Sequence, residues 1–209
     1  MLKRDILKSV MLADAQNIVD TCHTTDLTSY IQAQKILLKA KHIYIIGLRT
    51  CEPVAQVLAH HLRILFEHVT ILPGGSMQEI MDYMLHIGQK DVIVGISFPQ
   101  YSMRTLKALE FASSRKANVI TITDQQLSPI NMYSPCHLIA VNTNCGFADS
   151  MSSALSVVNT LVVSLQMSKS KKLAHTRKEM GEIWDDYKVE ETEDIRYTVS
   201  LDSKEVERV

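Results

Sequence analysis

His42-Ile43-Tyr44-Ile45-Ile46 runs into Gly47-Leu48-Arg49-Thr50-Cys51, and about fifty residues later Val92-Ile93-Val94-Gly95-Ile96 runs into Ser97-Phe98-Pro99-Gln100-Tyr101-Ser102. Each apolar run is short, rich in β-branched residues and free of charge, the pattern of a strand buried on both faces. Each polar loop then opens a helical pattern, Pro53–Phe66 after the first and Ser102–Ser114 after the second. A hydroxyl residue between the end of a strand and the start of a helix stands where free backbone N–H groups and the positive end of the helix dipole converge. That arrangement holds anions. One such loop carries little, because Ser and Thr also serve there as plain caps. Two in one sheet point to a phosphorylated small ligand.

Outward from these loops, strand and helix signals alternate. The remaining strands read His68–Leu72, Asn118–Thr123 and His137–Val141, with helical patterns at Met77–Ile87 and Asp149–Met167 and a short piece near Pro129–Tyr133. In the last long pattern Met151, Leu155, Val158, Val162 and Leu165 share one face. Before the first strand, Met1–Cys22 and Leu27–Ala40 have helical spacing, separated by the polar break Thr25, Asp26 and Thr28. Continuous Val/Ile strands joined by helices predict an α/β fold, a parallel sheet sandwiched by helices. The divisions expected are a helical segment 1–40 packing on the domain, a core 41–168, and a C-terminal helix with a charged tail, 169–209. In the last of these a basic run (Lys169, Lys171, Lys172, Arg177, Lys178) gives way to acidic residues 190–194. The tail reads either as solvated surface or as an arm touching another subunit, and Trp184 is expected to pack.

Composition narrows the class. With 209 residues, 46% of them apolar, the chain has room for a full core. A formal charge of −1 leaves no global electrostatic footprint for nucleic acid. The four cysteines, Cys22, Cys51, Cys136 and Cys145, show no metal or C-x-x-C spacing, so reduced thiols in a cytoplasmic protein are expected, with no metal and no cofactor. Apolar runs such as Ile43–Leu48 and Leu161–Leu165 fall far short of the ~20 residues that span a bilayer. Asp5 and Lys8 interrupt the N-terminal apolar residues, so no signal peptide is read.

In a doubly wound sheet with the flavodoxin-like strand order, ligands sit beyond the carboxyl ends of strands one and three. The two loops follow those two strands, so fold logic and residue chemistry select one cleft. Ser97, Ser102 and Thr50 carry hydroxyls for phosphate oxygens. Arg49 is either a bidentate clamp or a solvated surface arginine. Pro99 removes one backbone donor from the second loop. Cys51 is either a ligand-facing thiol, its pKa lowered by the helix start and Arg49, or a small apolar filler. His60-His61, His23, His42 and His68 lack metal spacing and read as structural or solvated. Gly74-Gly75-Ser76 reads as a turn with Ser76 as the next cap. Glu79 and His86 are either acid–base groups or surface positions, and Asp149 or Ser150 caps the last long helix, whose start could also border the ligand.

These residues resemble the sugar isomerase (SIS) domain, and more narrowly the effector domain of RpiR-type (MurR-type) transcription regulators. Ile43–Thr50 is similar to that family's first strand and loop, and Gly95–Ser102 to its third-strand loop. Ile120–Asp124 with Leu127-Ser128-Pro129 resembles its fourth strand and turn, and Phe147–Ser150 its final helix entrance. The similarity covers about residues 1–185. It implies the SIS fold, a five-stranded sheet of order 2-1-3-4-5, and a sugar-phosphate site comprising Gly47, Arg49, Thr50, Cys51, Ser97 and Ser102. It implies a homodimer or homotetramer, and a sensor role in regulating carbohydrate metabolism. DNA would be reached only through a helix-turn-helix domain outside this chain, since residues 1–40 resemble the helices that follow such a domain. Two departures stand out: Cys51 replaces the family's serine, and Pro99-Gln100 replaces the Ser and Gly of the enzymes' third loop. An isomerase site is therefore the alternative, with Glu79 as its base.

Overall fold

In the computed structural model, residues 3–143 and 149–187 are described. Five strands, β1 (Ile43–Gly47), β2 (Val69–Ile71), β3 (Val92–Ile96), β4 (Asn118–Thr123) and β5 (Cys136–Ile139), form one parallel sheet in the order β2-β1-β3-β4-β5. The register sets Ile45 beside Ile71 on one side and beside Val94 on the other. The order matches the expectation, and the reversal falls between β1 and β3.

Alternation along each strand divides the core. Ile43, Ile45, Val92, Val94, Ile96, Ile120 and Ile122 pack on α2 (Leu27–Lys39), α3 (Glu52–Leu65) and α6 (Ser152–Ser168). Tyr44, Ile46, Ile93 and Val119 pack on α4 (Met77–Tyr83) and α5 (Met103–Ser114). β1 and β3 are buried along their whole length, which is why they lack polar alternation. α1 (Lys3–Thr24) precedes them and contacts α6. Asp26 ends the break after α1, its carboxylate accepting from the N–H groups of Thr28 and Ser29 to cap α2.

Some boundaries differ from expectation. α4 ends at Tyr83, not Ile87, and continues as turns in which Met84 and Ile87 stay buried. α6 begins at Ser152 with Met151 at its N-cap; neither Asp149 nor Ser150 holds that place, though Ser150 Oγ accepts from Ser152 N at 3.3 Å. Among the described residues, those up to Leu173 form one compact unit and those from Ala174 a second. α7 (Ser170–Tyr187) is a helix on which Trp184 remains 42% exposed, against the expectation of packing. Cys145, Phe147, Ala148 and the acidic tail lie outside the described residues. Among those described, no helix is long and apolar enough to cross a membrane.

Candidate functional site at the carboxyl ends of β1 and β3

β1 ends on Gly47, where a Cβ would lie 2.7 Å from the Cys51 carbonyl oxygen and 3.0 Å from Ala55 Cβ. Glycine therefore lets the chain fold back against its own strand in a 3-10 turn, Arg49–Cys51, before α3 starts. Arg49 sits in the left-handed region at φ 61°. Pro53 falls in the first turn of α3, where its missing N–H has no helical acceptor to lose.

The second loop is held from below and from the side. Ser97 N donates to Ile122 O across the sheet at 3.2 Å. Ser97 Oγ accepts from Ser102 N at 3.3 Å, closing the loop on itself, and Ser102 Oγ accepts from Thr105 N at 3.4 Å as the N-cap of α5. Tyr101 Oη donates to Asp124 Oδ1 at 2.8 Å, which ties the loop to the end of β4. Gln100 also lies in the left-handed region, at φ 66°.

Between the loops is a small cleft lined by Arg49, Thr50, Cys51, Ser97 and Ser102, together with Phe98, Gln100 and Asp149. Arg49 Nη2 donates to Gln100 Oε1 at 3.3 Å across its mouth. Both serine oxygens accept from backbone amides, and neither hydroxyl hydrogen has a protein acceptor among the described residues. The serine hydroxyl hydrogens are thus free to donate, which suits an anion. Gly47 shapes the loop from behind and is not part of the lining.

Cys51 is 4% exposed and belongs to the α3/α6 side of the core. The expected lowering of its pKa is reversed. Burial pushes the thiol up, with Asp149 acting the same way, against smaller pulls from the Phe98 backbone, the Thr50 hydroxyl and Arg49. The cost of desolvating a thiolate exceeds the help from the helix start.

Other candidates fall elsewhere. Glu79 lies over Gly75, where an added Cβ would meet its carboxylate, and its N–H donates to the Ser76 cap at 3.1 Å. It is not among the cleft residues. His86 lines a separate surface depression with His42, His68 and Asp91. Among the described residues no set of three His, Cys, Asp or Glu side chains is placed to hold a metal ion. The Gly74-Gly75 turn receives Arg104 Nη1, which donates to both carbonyl oxygens. Gln100, and Asp124 as the anchor of Tyr101, are missing from the sequence reading of the cleft, whereas the entrance of the last long helix, which can border a ligand, does bring Asp149 to its lining. The available signal for Asp149 is its place at the entrance of the last long helix, which in this topology returns to the switch point.

Comparison with known proteins agrees with this architecture. The family model for the SIS domain matches residues 36–164. No curated protein matches the chain by sequence. Among solved structures, the sugar isomerase domain of an RpiR transcription factor from Sphaerobacter thermophilus aligns at TM-score 0.78 and 23% identity, covering 83% of this chain and 97% of that one. The NanR protein of Vibrio vulnificus, complexed with ManNAc-6P, aligns at TM-score 0.75 and 21% identity, over 88% and 70% of the two chains. A phosphoheptose isomerase from Francisella tularensis aligns at TM-score 0.66 and 17% identity, over 80% and 100%. With the family model covering more than half of its length and the sheet order and switch-point cleft in place, the chain belongs to the SIS domain family.

Proposed function

We propose that this chain is a sugar-phosphate sensor, the effector domain of an RpiR-type regulator of carbohydrate metabolism working in the cytoplasm. The observation that carries the reading is the pair of serines, Ser97 and Ser102, whose oxygens are held by backbone N–H groups so that their hydroxyl hydrogens remain for an anion beside Arg49 and Thr50. Support comes from the likeness to the RpiR and NanR structures and from the ManNAc-6P bound to NanR. DNA would be engaged only through a separate domain, whose geometry ligand binding would bias. Such coupling is typically ~1–3 kcal/mol.

Transmission of that kind needs a second subunit, and α1 offers a surface for one. Leu7, Met11 and Leu12 are 62%, 64% and 69% exposed, an apolar face that a second subunit could cover. The assembly proposed is a homodimer or homotetramer. A stand-alone aldose–ketose isomerase is the rival reading, favoured by the likeness to the phosphoheptose isomerase. Glu79 is outside the cleft lining, and Asp149 is the carboxylate that lines it among the described residues, so Asp149 takes the place of Glu79 as the base in that reading.

A thermal-shift panel of phosphorylated sugars and their free counterparts tests the proposal. A ligand at 100 times its Kd stabilises by about 2.7 kcal/mol, so a cognate sugar phosphate raises Tm and its unphosphorylated form does not. Equal shifts from both forms, or none from either, would refute an anion-reading cleft. Isomerase turnover that disappears in Asp149→Asn would replace the sensor with the enzyme.

A further inference from the structure

The loop that carries Ser97 and Ser102 is fastened at both ends to the neighbouring strand. At its start, Ser97 N donates to Ile122 O of β4 at 3.2 Å. At its finish, Tyr101 Oη donates at 2.8 Å to Oδ1 of Asp124, two residues beyond Ile122. Between these fastenings Phe98 is buried, whereas Pro99 and Gln100 stand exposed and Gln100 takes its left-handed φ of 66°.

The second fastening is more than a surface contact. The Tyr101 ring packs on the α4/α5 side of the core, and its hydroxyl also meets the side chains of Gln125 and Ser128. Thr123 Oγ1 lies 3.1 Å from the same Asp124 oxygen and 2.8 Å from Ser128 Oγ. The turn that bears these groups is braced in its own right, with Asn131 Nδ2 donating to the carbonyl oxygens of Gln125 and Gln126 at 3.2 and 3.0 Å. Burial raises the Tyr101 pKa, so at neutral pH the phenol keeps the proton it gives to Asp124.

None of Tyr101, Thr123, Asp124 and Ser128 lines the cleft. What they hold is the next residue, Ser102, whose N–H closes the loop on Ser97 Oγ at 3.3 Å and whose own oxygen caps α5. That closing bond is long, and the glutamine before it is in a costly conformation, so the loop is weakly shaped by its own contacts. We propose, on the reading of the cleft as an anion site, that Tyr101 is its positioning residue: held by Asp124, it fixes the Ser97–Ser102 loop in the geometry that receives a phosphate group and so sets the affinity. Released from Asp124, the loop keeps that geometry only part of the time. Apparent affinity then falls in proportion to the fraction still competent, and the ordering cost moves to the binding step.

Inorganic phosphate, titrated into the full isotope-labelled chain and followed by amide NMR, tests this alongside hydrogen exchange. Wild type is expected to show saturable shifts at Ser97 and Ser102. Tyr101→Phe and Asp124→Leu are each expected to raise the dissociation constant about tenfold, as for a loop competent about a tenth of the time. The double variant is expected to bind no more weakly than either single one. In both single variants the Ser102 and Thr105 amides exchange about tenfold faster, while those of Val94 and Ile120 keep wild-type rates, a separation that general loss of stability does not produce. Asp124→Asn retains a carbonyl oxygen for the Tyr101 hydroxyl and discards the charge, and it is expected to restore wild-type affinity and exchange. Wild-type affinity in Tyr101→Phe, additive losses in the double variant, uniformly faster exchange across the sheet, or no rescue by Asp124→Asn overturns the proposal alone. No saturable shift in wild type refutes the anion cleft itself, and the proposal with it.

Discussion

Arg49 and Gln100 meet across the cleft with both backbones left-handed: the guanidinium Nη2 donates to the amide Oε1 at 3.3 Å, at φ 61° and φ 66°. Neither residue type favours that conformation, which costs roughly 1–2 kcal/mol for a side chain with a Cβ. Glycine would remove the cost at position 100 but lose up to about 1 kcal/mol through the freedom of the unfolded chain. Gln100→Gly is therefore expected to stabilise the fold by about 0.5 kcal/mol, and Gln100→Val, β-branched, to destabilise it by more than that. Thermal denaturation of the two variants checks the opposite signs. Equal losses would mean that the side-chain bridge, not the backbone, sets the local energy.

In the proposed site the serines divide their work between ligand and helix. Ser97→Ala removes a hydroxyl donor and is expected to weaken sugar-phosphate binding about tenfold, in the range of a hydrogen bond to a charged group. Ser102→Ala loses the same kind of donor and also the cap on Thr105 N, so stability falls by ~1 kcal/mol as well. Ser102→Gly separates the effects, since glycine at an N-cap costs only a few tenths. Calorimetric titration paired with melting curves should show Ser102→Gly binding as poorly as Ser102→Ala while melting close to wild type. Undiminished affinity in all three variants would move the ligand away from this cleft.

Much of this arrangement is legible in the residues, for a physical reason. β1 and β3 are covered on both faces, so Val and Ile crowd them, and a hydroxyl-bearing loop after each marks the end of the strand. Apolar spacing misleads where burial outlasts the helix. Met84 and Ile87 continue the pattern of α4 and are buried, yet the backbone there runs in turns, Met84 N to Met81 O and Ile87 N to Met84 O. Gln100 escapes because glutamine carries no signature of a left-handed backbone. Cys51 is left open between a ligand-facing thiol and a core filler, because the sequence displays Arg49 and a helix start beside it but not the core that covers it. Asp149 reads first as a cap, because acidic residues ordinarily are, and the structure keeps the other reading of that helix start, at the border of the cleft.

At the opposite end of the sheet, His42 stacks on Tyr44 with ring centroids 4.2 Å apart, and its Nε2 lies 2.8 Å from Thr70 Oγ1. Burial holds its pKa below the ordinary 6.5; Asp91 opposes that shift, while His68 and Lys41 add to it. Above pH 6.5 both folded and unfolded imidazoles are neutral and the contribution to stability is complete. As pH falls through 6.5 the unfolded chain takes up a proton that the folded one resists, and stability declines until the folded pKa is passed. His42→Gln keeps a partner for Thr70 without the titration. Its Tm is expected to fall less steeply than that of wild type between about pH 7 and 5. Identical slopes would assign the acid sensitivity to other groups.

Three described cysteines provide the last test, because they differ in exposure and in the fate of the thiolate. Cys22 is exposed on α1, whereas Cys51 and Cys136 are buried. Burial pushes the Cys136 thiol up to about 11, with the Asp26 carboxylate adding to the shift, and its Sγ donates to Ser29 O at 3.2 Å. Burial raises Cys51 as well. Since the thiolate is the nucleophile, iodoacetamide at neutral pH is expected to modify Cys22 and spare both buried sites until the chain is denatured, as peptide mass mapping would show. The same shifts fix the sign at alkaline pH. Above the ordinary thiol pKa of 9 the unfolded chain loses protons that the folded thiols keep, so stability declines as pH rises toward 11. Cys136→Ala removes one such group and should flatten that limb. A saturating sugar phosphate would leave the Cys51 rate unchanged, because the core already excludes the reagent. If Cys51 instead reacts in the free protein and is protected by ligand, its thiol faces the cleft, and Cys51→Ser becomes the variant expected to bind more tightly, by ~1 kcal/mol for the better hydroxyl donor.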